Sequence, residues 1–460
     1  MAEKFEIGTE QLDRVATGEP DEEWPPVVGR AYARARAVLD KQRPGLEEIS
    51  RLNHRRMMEA FRGARVAGSD LQGSTGYGLD DRGREGADRI VAALMGAECA
   101  LVRQQFVSGT HAISAALFGN LLPGDGVMSV TGLPYDTLQT VLGIRGEAAG
   151  SLAEYGVSFQ SVELTVENDF DYTAIEKRMT PEIRMFLVQR SKGYAWQGAV
   201  NMGQIAEFVR FAKERFPDRI IFVDNCYGEL VEEVEPGHVG ADLMAGSLIK
   251  NLGGTLMPSG GYVAGKRALV ERAAARFAAP GIGMKLGATG DTVRLMLQGL
   301  YMSPLTVCEA LKGAVFAAAF WQELGFDVNP GPEAARTDII QAVRLKSPGG
   351  MVAFCQGLQA GSPVDAHVCP VPGGMPGYAD EIIMAGGTFV QGATSEFSAD
   401  GPLRPPYSVF LQGGCSCRYL EEIHVGAALF MEGLGLLAMD NVKSMDNGQW
   451  TMDNVKSMDN

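Results

Sequence analysis

Ile220-Ile221-Phe222-Val223-Asp224-Asn225 is the stretch that decides the fold class of this chain. Four consecutive large apolar residues suit a parallel strand covered on both faces, whereas a strand with one wet face alternates. The run ends on a carboxylate, and open α/β sheets bind ligands beyond the carboxyl ends of such strands. On its own, Asp224 can equally cap the segment that follows. Just upstream, Ile205, Phe208, Val209 and Ala212 recur at helical spacing, and Pro217-Asp218 closes that helix. Downstream, 243–248 and 261–264 repeat the strand pattern. Further back lie helical stretches at 87–95 and 111–122 and strand candidates at 127–130, 157–164 and 184–188. Alternation of this kind from about Gly76 predicts an α/β large domain, 76–299, with a mainly parallel sheet.

Outside that core the pattern changes. Residues 1–75 are polar and broken by Pro20, Pro25 and Pro26, with two helical patterns at 28–39 and 46–61. They lack a core of their own and are expected to form an arm that packs on something else. Residues 300–437 mix one long helix at 307–324 with short strand-like runs at 382–384, 388–390 and 407–411, a smaller α+β C-terminal domain. In the tail, 438–460, Met-Asp-Asn-Val-Lys-Ser-Met-Asp-Asn occurs at 439–447 and identically at 452–460. So short and exact a repeat is low-complexity sequence and is given no functional weight.

At 460 residues the chain suits two or three units of roughly 100–200 residues each. An apolar fraction of 46% with 21% charged residues is ordinary for a globular protein. The net charge of −15 argues against a nucleic-acid surface and against a polybasic membrane anchor. No run of 18 uninterrupted apolar residues and no signal-peptide pattern occurs, so a cytoplasmic protein is expected. Seven irregularly spaced cysteines make a poor disulfide framework, and Cys415-Ser-Cys417 lacks a second pair, so no metal is expected.

Four features carry chemistry. Ser108-Gly109-Thr110 opens a helix, where free N–H groups and the helix dipole favour an anion, although Ser108 or Thr110 there is also an ordinary N-cap. Tyr135 follows a strand and can stack on a flat ring, or be a half-buried loop aromatic. Asp224 ends the apolar strand. Lys250 is embedded in Leu243-Met244-Ala245-Gly246-Ser247-Leu248-Ile249, and a buried lysine is costly unless neutral, paired or covalently used. It can also snorkel to the surface. Together they describe a pyridoxal 5'-phosphate site. Lys250 holds the aldehyde as a Schiff base and Asp224 keeps the pyridine nitrogen protonated. Ser108, Gly109, Thr110 and Ser247 take the phosphate, and Tyr135 covers one ring face. Burial and the nearby cofactor together are expected to lower the pKa of the freed Lys250 amine, so that it can remove a proton.

With these residues in place, the chain resembles the fold-type-I pyridoxal-phosphate enzymes. Within them it is similar to the aluminum resistance protein family, described as methionine γ-lyase-like or cystathionine β-lyase-like. The motifs carrying the resemblance are Gly76-Tyr77-Gly78-Leu79-Asp80-Asp81-Arg82-Gly83-Arg84-Glu85, Gln105-Phe106-Val107-Ser108-Gly109-Thr110-His111 and Pro134-Tyr135-Asp136-Thr137-Leu138. Val223-Asp224-Asn225-Cys226-Tyr227-Gly228-Glu229, Ser247-Leu248-Ile249-Lys250-Asn251 and Ala399-Asp400-Gly401-Pro402-Leu403-Arg404-Pro405-Pro406-Tyr407 continue it. The family pattern has a second tyrosine where this chain has Leu79. It also has an arginine-proline near Gln197, which this chain lacks.

The resemblance implies a carbon–sulfur lyase acting on a cystathionine- or methionine-class amino acid by β- or γ-elimination. It implies that Tyr77 reaches the phosphate of a neighbouring subunit's cofactor, making a homodimer the minimal active unit and a homotetramer its further assembly. Arg404 is the candidate clamp for the substrate α-carboxylate, by two parallel hydrogen bonds, with Arg418 as the fallback. Two alternatives stay open: aminotransfer or γ-replacement on the same scaffold, and a non-catalytic binding protein that kept the fold.

Overall fold

The structure, a computed structural model, describes residues 24–146 and 149–437. The repeat at 439–460 and the first 23 residues of the arm lie outside the described residues.

The large domain is built on a seven-stranded sheet. Its strands are β1 (Cys99–Arg103), β2 (Gly126–Ser129), β3 (Ser158–Ser161), β4 (Ile183–Gln189), β5 (Ile220–Asp224), β6 (Leu243–Ser247) and β7 (Gly261–Gly265), in the order β1-β7-β6-β5-β4-β2-β3. From β3 across to β6 all neighbours are parallel. β7 is the exception, running antiparallel between β6 and β1. The connection from β6 to β7 holds only the short turn Asn251–Gly253. Without a crossover helix to carry the chain back, the next strand must reverse.

The apolar run at β5 feeds both faces. Ile221 and Val223 pack into one core, Ile220 and Phe222 into the other. Covering helices on the second side are α3 (Gly109–Asn120) and α7 (Arg267–Phe277). On the first side lie α1 (Pro26–Ala64), α2 (Arg82–Met95), α6 (Met202–Arg215) and α8 (Val293–Glu323). The short α4 (Asp136–Leu142) and α5 (Tyr172–Arg178) complete this region.

The two helical patterns of the arm prove to be one 39-residue helix, α1. Its buried residues, from Val28 through Leu46 and Met57 to Ala64, form one stripe laid against α8. Pro44 interrupts the hydrogen-bond ladder on the exposed face. α8 likewise starts earlier than the sequence pattern indicates, and it runs through Pro304. The Leu300 carbonyl, deprived of the Pro304 N–H, instead accepts the Ser303 hydroxyl at 2.7 Å. α8 is long and apolar enough to cross a membrane, but 83% of its most apolar window is buried inside the protein. It is a core helix.

Beyond α8, the strands β8 (Asp327–Asn329), β9 (Gln341–Arg344), β10 (Ile382–Ala385), β11 (Ser398–Pro402) and β12 (Ser408–Gln412) form an antiparallel sheet in the order β10-β11-β12-β9-β8. Helices α9 (Pro348–Ala360) and α10 (Cys417–Gly433) pack with it. The strand expected at 388–390 is a loop instead. The Glu396 carboxylate accepts the Phe389 and Val390 N–H groups at 2.7 and 2.9 Å, taking the place of a partner strand.

Candidate active site

Four loops converge beyond the carboxyl ends of β1, β2, β5 and β6, where the sequence placed its candidates. Ser108 is the N-cap of α3, its hydroxyl oxygen accepting the His111 N–H at 3.1 Å. The cap uses a lone pair and leaves the hydroxyl proton free to donate. Ser247, at the end of β6, accepts the Ile249 N–H at 3.3 Å in the same way. The two serine-bearing segments meet at Gly109. A Cβ built there would lie 3.0 Å from the Ser247 Cβ and 3.4 Å from the Cys226 sulfur. Only glycine leaves that cradle open.

Tyr135 is the residue before α4, and its phenol lies 3.1 Å from the Thr110 hydroxyl. Its backbone N–H is held by the Gln189 side chain at the end of β4, 3.0 Å away. Burial, then the Asp224 charge, pushes its pKa well above the usual tyrosine value, so the phenol stays neutral. Asp224 is 2% exposed, and one oxygen accepts the Cys226 N–H at 3.2 Å. Burial pushes its carboxyl up, opposed by the Lys250 charge.

Lys250 lies three residues beyond β6, its Nζ 3.8 Å above the Tyr227 ring. Here burial alone does not leave the pKa lowered. Burial does push the amine down, but Cys226, Tyr227, Asp224 and Tyr135 surround it with acidic groups. Together they hold it well above the usual lysine value.

The set fits pyridoxal phosphate on its own chemistry. It combines an open glycine cradle between two hydroxyls at a helix N-terminus, an amine, a buried carboxylate and a neutral phenol. The sequence pattern of methionine γ-lyases matches residues 29–430. The chain belongs to the methionine γ-lyase family.

Relatives of this family member agree. An uncharacterized Bacillus subtilis protein, YnbB, is 49% identical over 378 residues, 82% of this chain and 90% of that one. A Listeria monocytogenes structure described as a candidate cystathionine β-lyase involved in aluminum resistance is 44% identical. It superposes with a TM-score of 0.84 over 87% of this chain and 98% of that chain. A candidate O-acetylhomoserine (thiol)-lyase from Campylobacter jejuni, recorded with a pyridoxyl-lysine monophosphate, matches in fold alone. It is 14% identical, with a TM-score of 0.55, over 77% of this chain and 86% of that one. The fold is that of the fold-type-I pyridoxal-phosphate enzymes.

The remaining candidates of this methionine γ-lyase family chain lie outside the central cluster. Tyr77 is 74% exposed and Leu79 65%. Their loop is nonetheless fixed: the buried Arg84 donates to the Gly78 carbonyl at 2.5 Å, and Gly287 N–H to the Tyr77 carbonyl at 3.1 Å. The Arg404 side chain is 39% exposed, with its guanidinium on Asp380 at 2.7 Å and 3.9 Å from Asp136, the neighbour of Tyr135. As a substrate clamp it would have to leave Asp380. Arg418 is exposed in the first turn of α10. Among the described residues, no three His, Cys, Asp or Glu side chains are placed to hold a metal ion.

The structure adds groups that the sequence reading did not single out. Cys226 and Tyr227 face Lys250. Asp400, fully buried on β11, accepts from Ser398 at 2.5 Å and from Gln412 at 3.2 Å, and also pairs with Tyr194. The Lys250 charge reaches it. Glu229 is fully buried, one oxygen accepting the Tyr262 hydroxyl at 3.0 Å. Lys192, beyond β4, donates to the Asn329 carbonyl at 3.0 Å, and burial brings its pKa down to about 8 against the pull of Asp338. Cys226, Tyr227, Glu229 and Asp400 all lie inside motifs already quoted, which was the available signal.

Proposed function

We propose that the protein is a cytoplasmic, pyridoxal-phosphate-dependent carbon–sulfur lyase acting on a cystathionine- or methionine-class amino acid. The convergence of Lys250, Asp224, Tyr135 and the Gly109 cradle supports this reading most directly. Family membership and the lyase-described relatives support the reaction class.

When bound, pyridoxal phosphate supplies an aldehyde for an amine and an electron sink for the carbon beside the substrate nitrogen. Ser108, Gly109, Thr110 and Ser247 would hold the phosphate, Asp224 the ring nitrogen and Tyr135 one ring face. Lys250 would supply the amine that holds the aldehyde, and that amine would also be the base for the Cα proton. Tyr135, kept neutral by burial, presents a hydroxyl rather than an anion at that face. Arg404 would exchange Asp380 for the substrate carboxylate, and Tyr77 would reach the site of a second copy, making the homodimer the working unit within a homotetramer.

Purified protein loaded with cofactor is expected to release a 2-oxo acid and ammonia from cystathionine or methionine. Amino transfer to an oxo-acid acceptor without thiol release would overturn the lyase reading.

A further inference from the structure

Tyr227 holds a position that no role above uses. It is a tyrosine with φ of +68°, in the left-handed region that side chains other than glycine rarely adopt. Such a conformation persists only where the surroundings fix it, and here they do. The Gly228 N–H bonds to the Asn225 carbonyl at 3.1 Å, and the Ile339 N–H, arriving from the small-domain side, bonds to the Tyr227 carbonyl at 3.2 Å. A side chain at 228 would strike Arg190, whose guanidinium lies 2.6–2.8 Å from where a Cβ would stand. The ring packs against all three apolar clusters of the described residues. This wedge places its face under the Lys250 amine, 3.8 Å from the ring centre.

A lysine ammonium over an aromatic face is held by the ring quadrupole, more strongly where water is excluded. A neutral amine gains nothing comparable, so the contact selects the protonated form.

We propose that Tyr227 is a positioning residue for Lys250, the surface on which its ammonium rests whenever that nitrogen is not bonded to the cofactor. The proposal rests on Lys250 being the cofactor lysine and the base. In the proton step the Cα–H bond breaks, its electron pair stays on the substrate side and the proton joins the Lys250 lone pair. The resulting ammonium then lies on the Tyr227 face. The field at Lys250 has other contributors: Asp224, Cys226 and Glu229 around the end of β5, Tyr135 before α4, Asp400 on β11 and Tyr378 in the loop before β10. All of these remain in place when only Tyr227 is changed.

The test is competitive acetylation of Lys250 across pH in cofactor-free protein, read by peptide mass spectrometry, because only the neutral amine reacts. Tyr227→Leu is expected to move the midpoint down by about one pH unit, a tenfold shift between the exposed and fully desolvated limits of a cation–π contact, as suits two half-buried side chains. Tyr227→Phe, which keeps the ring and loses only the hydroxyl that also bonds Lys250, should restore most of it. In loaded enzyme, Tyr227→Leu should slow Cα-deuterium exchange about tenfold with KM within about threefold. Should the leucine variant fold poorly, fluorinated phenylalanine at the same site keeps the shape and weakens the ring quadrupole, and the midpoint should fall with each added fluorine. Midpoints that coincide across these variants would overturn the proposal. Loading of the wild type with pyridoxal phosphate, followed by its visible absorption, tests the cofactor reading separately.

Discussion

Individual residues carry the chemistry through their surroundings. Glu229 shows how far burial can go: its carboxyl is pushed from 4.5 up to about 8, chiefly by burial and further by Glu235. Between those values the unfolded chain has released a proton that the folded chain retains. The stabilising contribution is therefore full below pH 4.5 and is lost as pH rises to about 8, a change of roughly 2–5 kcal/mol. Glu229→Gln, still able to accept from Tyr262, is expected to flatten that decline in a series of melting curves from pH 4.5 to 8. An unchanged slope would show that Glu229 does not titrate in this window. Asp224 was legible in the sequence because it closes an unmistakably apolar strand, and Lys250 and Tyr135 because each follows a strand within a few residues. Cys226, Tyr227 and Asp400 were not. Their roles depend on a left-handed backbone, on a neighbour from another element and on a polar strand, none of which spacing reveals. The groups that raise the Lys250 pKa were hidden for a related reason: sequence exposes the apolar strand around a lysine but not the acidic groups that loops bring to it.

Elements were legible where periodicity was strong and lost where another contact overrode it. The apolar run at β5 and the helix at α6 emerged as expected. β11 did not, since Ser398-Ala399-Asp400-Gly401-Pro402 shows no apolar alternation, and its burial comes from being sandwiched between β10 and β12. α1 appeared as two helices because Pro44 falls between its patterns. The pairing of α8 with α10 gives a second test. The Trp321 indole N–H donates to His424 Nδ1 at 3.1 Å, and burial drives this histidine down to about 3. From pH 6.5 to about 3 the unfolded chain binds a proton there that the folded chain refuses. This contribution is present above 6.5 and is lost as pH falls, on the order of 2–4 kcal/mol. His424→Gln, which keeps an acceptor for Trp321, should give denaturation midpoints that fall less steeply below pH 6.5. A slope as steep as the wild type's would exclude His424 as the cause.

At the scale of the whole molecule, the rigid loop that presents an exposed Tyr77 is the feature a single chain leaves unexplained. A large aromatic 74% exposed on a fixed backbone suits a surface that meets another copy. If Tyr77 completes the partner's site, Tyr77→Ala and Lys250→Ala each disable every site of a homodimer. A mixed dimer of the two then holds one site carrying both changes and one carrying neither. Mixing the refolded variants should restore lyase activity well above the sum of the two alone, and no restoration despite proven exchange would place Tyr77 outside the site.

The most direct measurement asks which amine carries the cofactor. Lys192 is the alternative amine to exclude. Lys192 has its pKa lowered to about 8 and is the readier nucleophile by charge alone, while Lys250 stands among Asp224, Tyr135 and Tyr227. Borohydride reduction of protein loaded with pyridoxal phosphate, followed by peptide mass mapping, fixes the group on whichever nitrogen holds it. A single pyridoxyl adduct on Lys250, absent in Lys250→Ala, is the predicted result. An adduct on Lys192, or none at all, would contradict it.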